Sequence, residues 1–214
     1  VLLAEDNIDN QRLVSHYLRR LGLDVCIVDN GQLAVERALE EEFSLVLMDM
    51  QMPKMDGPEA ARILRQTGSS VPIIALTANV GQEDRDRCMS AGCNDFLCKP
   101  IDKQHFYTVV SRFLKKAGEV EDVMDDDEEF EELRKKYIAL ISERQSEVCN
   151  AYAGNDRVFI KSSMHQFKGS AGGYGFPDLG RIAAKIEALL KADIDSEIDE
   201  EMGCFINECQ RIVG

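Results

Sequence analysis

Five short apolar runs punctuate the first half of the chain: Val1 to Ala4, Asp24 to Val28, Ser44 to Met48, Val71 to Leu76 and Asp95 to Cys98. Each is too short to be a helix and is rich in residues that favour strands. Between them lie segments of helical period, Asp9 to Leu21, Gly31 to Glu42, Gly57 to Gln66, Gln82 to Ala91 and Asp102 to Lys116. Gly22, Gly68 and Gly92 stand where three of these helices should close, and Pro72 enters a strand where a missing N–H is tolerated. Strict alternation of strand and helix predicts an α/β unit, a doubly wound five-stranded parallel sheet with helices on both faces.

From about residue 128 the β-rich runs disappear. Helical periodicity predicts Phe130 to Tyr152, Asp156 to Tyr174, Asp178 to Ala192 and Asp195 to Ile212, with breaks at Gly154, Gly175 to Pro177, and Asp193. Short connections favour antiparallel neighbours, hence an all-α four-helix bundle. The stretch from Glu119 to Glu132 holds ten carboxylates and no Lys or Arg. Such a segment buries too little apolar surface to fold alone and reads as a linker running into an acid-tolerant helix N-terminus. The expected organisation is a domain over 1–117, an acidic linker over 118–129 and a second domain over 130–214.

Composition narrows the function classes. A formal net charge of −14 over 214 residues argues against a nucleic-acid partner, whose phosphates must be neutralised by Lys and Arg. No run approaches the roughly 18 apolar residues of a membrane span, and the N-terminus lacks the order of a signal peptide. The fragment is therefore expected in the cytoplasm without membrane contact of its own, whether or not a parent protein is anchored in a membrane. It opens inside an apolar run without Met, which reads as a piece of a longer polypeptide. The seven cysteines lack the paired short spacing of a zinc site and are expected as reduced, mostly buried thiols.

In an open parallel sheet, ligands bind beyond the C-terminal ends of the strands. Those ends carry Glu5 and Asp6, Asp49, Thr77, and Lys99-Pro100. Three carboxylates brought together repel one another unless a cation sits among them, and an open oxygen-rich site suits Mg²⁺. A carboxylate beside such an ion can attack phosphorus while an ammonium takes up the developing charge, which nominates Asp49 as nucleophile and Lys99 as ammonium. Any one of these acids alone would read as a helix N-cap. The complete ordered set does not.

The stretches LLAEDN (2–7), LVLMDMQMPKMDG (45–57), IIALTAN (73–79) and AGCNDFLCKP (91–100) resemble the receiver domain of response regulators, a flavodoxin-like fold. The resemblance implies phosphorylation of Asp49, Mg²⁺ held by Asp6, Asp49 and the backbone carbonyl of Gln51, and Glu5 holding the metal through water. It further implies that Lys99 pairs with the phosphoryl oxygens, that Thr77 moves to bind them, that Phe96 turns inward with it, and that the peptide before Pro100 is cis.

His165 lies in KSSMHQFKGSAGGYGF. At 100° per residue, Lys161, Lys168, Gly169 and Gly172 share its side, whereas Ile160, Met164, Phe167, Ala171 and Tyr174 fall opposite. This predicts a solvent-facing imidazole among ammonium groups, with glycines leaving room for a partner. Glycine in a helix costs about 1 kcal/mol relative to alanine, so Gly169, Gly172 and Gly173 together call for compensation. An imidazole with an ordinary pKa of about 6.5 is nucleophilic toward phosphorus, and lysines such as Lys168 would stabilise the product. The segment HQFKGSAGGYGF resembles the signature of histidine phosphotransfer (HPt) domains, with Phe167 where Leu is usual. That resemblance implies a four-helix bundle with His165 as phosphoacceptor. His16 and His105 have no convergent acid and are expected at the surface or an interface.

Together the resemblances imply a phosphorelay: an upstream histidine kinase domain phosphorylates Asp49, which passes the group to His165 and on to a downstream response regulator receiver. No ATP-binding glycine loop occurs, so the kinase lies elsewhere, and the module order is similar to the C-terminal end of a hybrid sensor histidine kinase. A haloacid-dehalogenase-like phosphatase would need a second Asp at position 51, where Gln stands. A pure interaction module would not need the full acid, threonine and lysine set.

Overall fold

The computed structural model describes residues 1–78, 81–114 and 128–214. They form two compact units, Val1–Asp126 and Asp127–Gly214. Most of the expected acidic linker, and Lys115 and Lys116 at the end of the helix predicted over Asp102 to Lys116, lie outside the described residues.

The first unit alternates β1 (Leu2–Ala4), α1 (Ile8–Arg20), β2 (Cys26–Val28), α2 (Gly31–Glu40), β3 (Val46–Asp49), α3 (Gly57–Gln66), β4 (Ile73–Thr77), α4 (Gln82–Ser90), β5 (Asp95–Cys98) and α5 (Lys103–Phe113). The strands form one parallel sheet in the order β2-β1-β3-β4-β5. Leu2, Leu3, Ala4, Val46, Leu47, Met48 and Ile73 to Leu76 are all fully buried. Helices therefore cover both faces, and the continuous apolar runs in the sequence follow from that.

Polar side chains start four of these helices. Asn7, Asn30, Asp56 and Asp102 each accept a hydrogen bond from a backbone N–H of the first turn, which satisfies an otherwise orphan donor. Gly57 is dictated by contact: a Cβ there would lie 2.1 Å from the carbonyl oxygen of Asp49. The strand carrying Asp49 and the helix after it can approach so closely only because that side chain is missing.

The second unit comprises α6 (Glu128–Ala153), α7 (Arg157–Ser170), α8 (Pro177–Ala192) and α9 (Ile198–Val213). Tyr137, Ile141, Met164, Phe167, Ala183, Ile186, Met202 and Phe205 fill its core. Phe167 meets Phe205 edge-on at 5.2 Å, so the larger ring at this position is accommodated by an aromatic contact across to α9. The helix expected to run to Tyr174 leaves α geometry after Ser170, and Ala171–Tyr174 form a 3-10 turn. The adjacent Gly172 and Gly173 weaken the α-helix there, and Gly175 at φ 86° turns the chain toward Pro177.

Two expectations about exposure fail. His16 is buried rather than superficial, lying beside Tyr17 where α1 packs near the Phe106 and Tyr107 rings of α5. His105 is exposed, as expected. The cysteines are all free, with Cys88, Cys93 and Cys209 buried, Cys204 exposed and the other three between, so fewer are buried than composition suggested. Among the described residues no helix is long and apolar enough to cross a membrane.

Candidate functional site

The C-terminal ends of β1, β3 and β5 bring Glu5, Asp6, Asp49 and Lys99 together. Each of the three carboxylates offers an oxygen within 4.8 Å of the others; Glu5 and Asp49 are buried and Asp6 is exposed. The Lys99 ammonium lies 2.6 Å from Glu5 Oε2 and 2.7 Å from Asp49 Oδ2. Burial opposes charge on Lys99, but Asp49 and Glu5 prevail and push its pKa upward, so it stays an ammonium.

The acids are not equivalent. Burial, helped by the Asp49 charge and opposed by Lys99, pushes the Glu5 carboxyl upward. Its Oε1 is committed to the Asn10 amide at 3.0 Å and to the Asn7 N–H at 3.3 Å, and its Oε2 to Lys99. Glu5 therefore has little direct ligating capacity left. Asp49 accepts the Gln51 N–H on Oδ1 at 3.1 Å and Lys99 on Oδ2, which leaves lone pairs on both oxygens. Asp6 faces outward. A hard cation bound mainly by Asp6, Asp49 and water fits this donor set, with Glu5 behind it.

Thr77 ends β4, is buried, and lines a small cavity of about 30 Å³ with Met50, Pro58 and Cys88. Phe96 is half-buried on β5, with the Arg85 guanidinium 5.1 Å from its ring centroid. The peptide between Lys99 and Pro100 is cis, as expected.

In the second unit, His165 sits on α7 with 31% of its side chain exposed. The bare helix face expected from sequence is partly covered, because Gly169 is buried and Gly172 half-buried. A Cβ at Gly180 of α8 would lie 3.7 Å from the Lys168 carbonyl and 3.8 Å from Gly172 N, so α8 itself takes up room the glycines leave. This close approach brings in a residue that reading α7 alone missed. Glu187 of α8, nearly buried, touches the His165 Nδ1 at 2.9 Å and receives the Lys168 ammonium at 3.2 Å and the Lys191 ammonium at 2.7 Å. Burial favours its neutral form, but hydrogen bonds from His165 and Lys191 and the Lys168 charge hold the carboxyl well below its ordinary range. Lys161 is exposed.

The response regulator receiver domain family matches residues 1–111, and the Hpt domain family matches residues 132–212. The chain is a receiver domain followed by an Hpt domain. The signal transduction histidine-protein kinase BarA of Shigella flexneri is 26% identical over the whole chain, which spans 27% of BarA. The sensor histidine kinase GacS of Pseudomonas protegens is 28% identical over 90% of the chain and 24% of its own length. The chain thus spans about a quarter of the length of these two relatives. The chemotaxis response regulator CheY4 of Vibrio cholerae superposes with a TM-score of 0.51 at 27% identity, covering 53% of this chain and 96% of its own. Receiver and Hpt modules in one chain are phosphorelay signalling modules.

Proposed function

We propose that Asp49 and His165 are the two phosphoacceptors of this relay. The observation that carries the reading is the Lys99 ammonium lodged between Glu5 and Asp49, with Asp6 beside them at the open strand ends. A phosphoryl group arriving from a kinase histidine breaks its P–N bond and forms a P–O bond to Asp49. Asp6, Asp49 and the Gln51 carbonyl would hold Mg²⁺, with Glu5 acting through water, and the ion would supply positive charge to the transferring oxygens. Lys99 shares that charge and Thr77 supplies a hydroxyl. The imidazole of His165 then attacks the acyl phosphate, the Asp49 carboxylate leaves, and a downstream response regulator receiver collects the group.

The chain supplies no ATP site of its own among the motifs it carries, so the upstream partner is a histidine kinase domain. With relatives such as BarA and GacS matching over so small a share of their length, we read the chain as the C-terminal part of a hybrid sensor histidine kinase, with both modules cytoplasmic.

Incubation with acetyl phosphate and Mg²⁺ tests the assignment. The unaltered chain should acquire an alkali-labile label on Asp49 and an acid-labile label on His165. Asp49→Asn should lose both, whereas His165→Gln should keep the first and lose onward transfer. Normal onward transfer by either variant would overturn the mechanism.

A further inference from the structure

We propose that Gln11 is a positioning residue of the receiver site: held in turn by Asp29, it fixes the plane of the Glu5–Asp6 peptide and so keeps the Asp6 carboxylate convergent with Asp49. The proposal rests on the reading of Asp6 and Asp49 as Mg²⁺ ligands and deepens it.

Asp6 lies just beyond β1, between that strand and α1, and a side chain placed there is only as well aimed as the backbone beneath it. A peptide unit is planar, so whatever holds the Glu5 carbonyl oxygen also sets the direction in which the chain leaves toward Asp6. That oxygen accepts the Gln11 side-chain amide at 2.7 Å. Gln11 lies near the start of α1, where long side chains lean back toward the helix N-terminus, and is 7% exposed. A buried amide has two protons to place. The second goes to Asp29 Oδ1 at 3.0 Å. With one proton on each acceptor, the amide cannot rotate without giving up one of them.

Asp29 is itself well anchored. It directly follows β2, and the next residue, Asn30, caps α2 by accepting the Leu33 N–H at 3.0 Å. Gly31 N–H then donates to the Met55 carbonyl at 3.1 Å. The Glu5 N–H meets the Val28 carbonyl at 3.0 Å. The ends of β1 and β2 are therefore joined twice, once by the sheet ladder and once through Gln11. Neighbouring Asn10 takes the other half of Glu5, its amide donating to Oε1 at 3.0 Å. Consecutive residues of α1 thus have separate tasks: Asn10 holds the Glu5 side chain, and Gln11 holds the backbone from which Asp6 projects. A hydrocarbon of the same length at position 11 would fill the same space and leave the Glu5 carbonyl without this donor.

Two measurements on the full chain test the assignment: Mg²⁺ binding by titration calorimetry with no phosphodonor present, and the Mg²⁺ dependence of Asp49 labelling by acetyl phosphate. Gln11→Met keeps the stem but donates nothing. It should raise the Mg²⁺ dissociation constant about tenfold. Half-saturating Mg²⁺ for labelling should rise in parallel, with the rate at saturating Mg²⁺ within about twofold of the unaltered chain. Asp29→Ala, at an exposed position, should raise the dissociation constant severalfold, whereas Asp29→Asn, which keeps an acceptor, should leave it unchanged. Because Asp29 acts through Gln11, Asp29→Ala should add nothing once Gln11→Met is in place. Equal weakening by Asp29→Asn and Asp29→Ala would show that only the charge of Asp29 matters and would overturn the proposal. So would unaltered Mg²⁺ affinity in Gln11→Met, whether or not its saturated labelling rate falls. An unaltered chain that binds no Mg²⁺ would instead sink the metal-site reading itself.

Discussion

At the residue scale, Lys99 makes the receiver site possible. Glu5 and Asp49 would repel one another across a buried gap, and the ammonium 2.6 and 2.7 Å away offsets that repulsion. Lys99→Met removes the offset while keeping the length of the stem. Glu5 and Asp49 are then left as buried acids without their cation, a loss that typically destabilises by about 3–5 kcal/mol. Mg²⁺ should recover much of this by taking the place of the missing charge. The variant is therefore expected to show a low urea midpoint that rises with Mg²⁺ more steeply than that of the unaltered chain. A parallel response of the two proteins to Mg²⁺ would count against the carboxylates as the metal site.

At the element scale, the close approach of β3 to α3 is testable through Gly57. A Cβ at that position would lie 2.1 Å from the Asp49 carbonyl oxygen and 2.9 Å from its carbon, backbone atoms that cannot swing aside as the nearby Met50 methyl can. Gly57→Ala should cost about 1–3 kcal/mol in chemical denaturation and lower Asp49 labelling by shifting the end of β3. The α7 and α8 pair makes a different prediction, in acid. The Glu187 carboxyl is held below its ordinary value near 4.5 when folded. Its contribution to stability is thus complete above that value and withdrawn as pH falls through the lowered one. Denaturation midpoints of the full chain should fall more steeply below about pH 4.5 than those of Glu187→Gln.

These same elements show why some of the molecule was legible in its sequence and some was not. Five runs too short for helices and too apolar for loops specify a parallel sheet almost by themselves, because strands buried on both faces need no alternation. Strand ends in such a sheet share one edge, so Glu5, Asp6, Asp49, Thr77 and Lys99 could be grouped before any contact was known. Helix periodicity placed His165 opposite the apolar stripe, and its side chain is partly exposed there while Ile160, Met164 and Phe167 are buried. Glu187 was harder to find because its role depends on which face of α8 meets α7. The signal existed in the stripe of Gly180 and Ala184 leading to a carboxylate, but a small-residue stripe does not name its partner helix. His16 illustrates the opposite failure: no local pattern records that α5 brings Phe106 and Tyr107 toward α1.

At the scale of the whole molecule, the proposed relay asks each phosphoacceptor to serve two partners in turn. In it Asp49 would receive from a kinase histidine and give to His165, and His165 would receive from Asp49 and give to another receiver. A permanent pairing of the two sites within one chain would deny each its second partner, so their encounter has to be reversible. Reversible encounter within a chain implies that the same surfaces can meet between chains, at a rate that depends on concentration. An equimolar mixture of His165→Gln, labelled on Asp49, and unlabelled Asp49→Asn should therefore transfer phosphate to the intact His165 of the second variant. The fraction of label transferred per unit time should rise in proportion to total protein, whereas in the unaltered chain it should reach a floor independent of dilution. The acid-labile label on the Asp49→Asn chain gives the measurement. Its absence at every concentration would mean that the two modules are restricted to their own chain, and that some feature beyond the two sites fixes the route of the phosphoryl group.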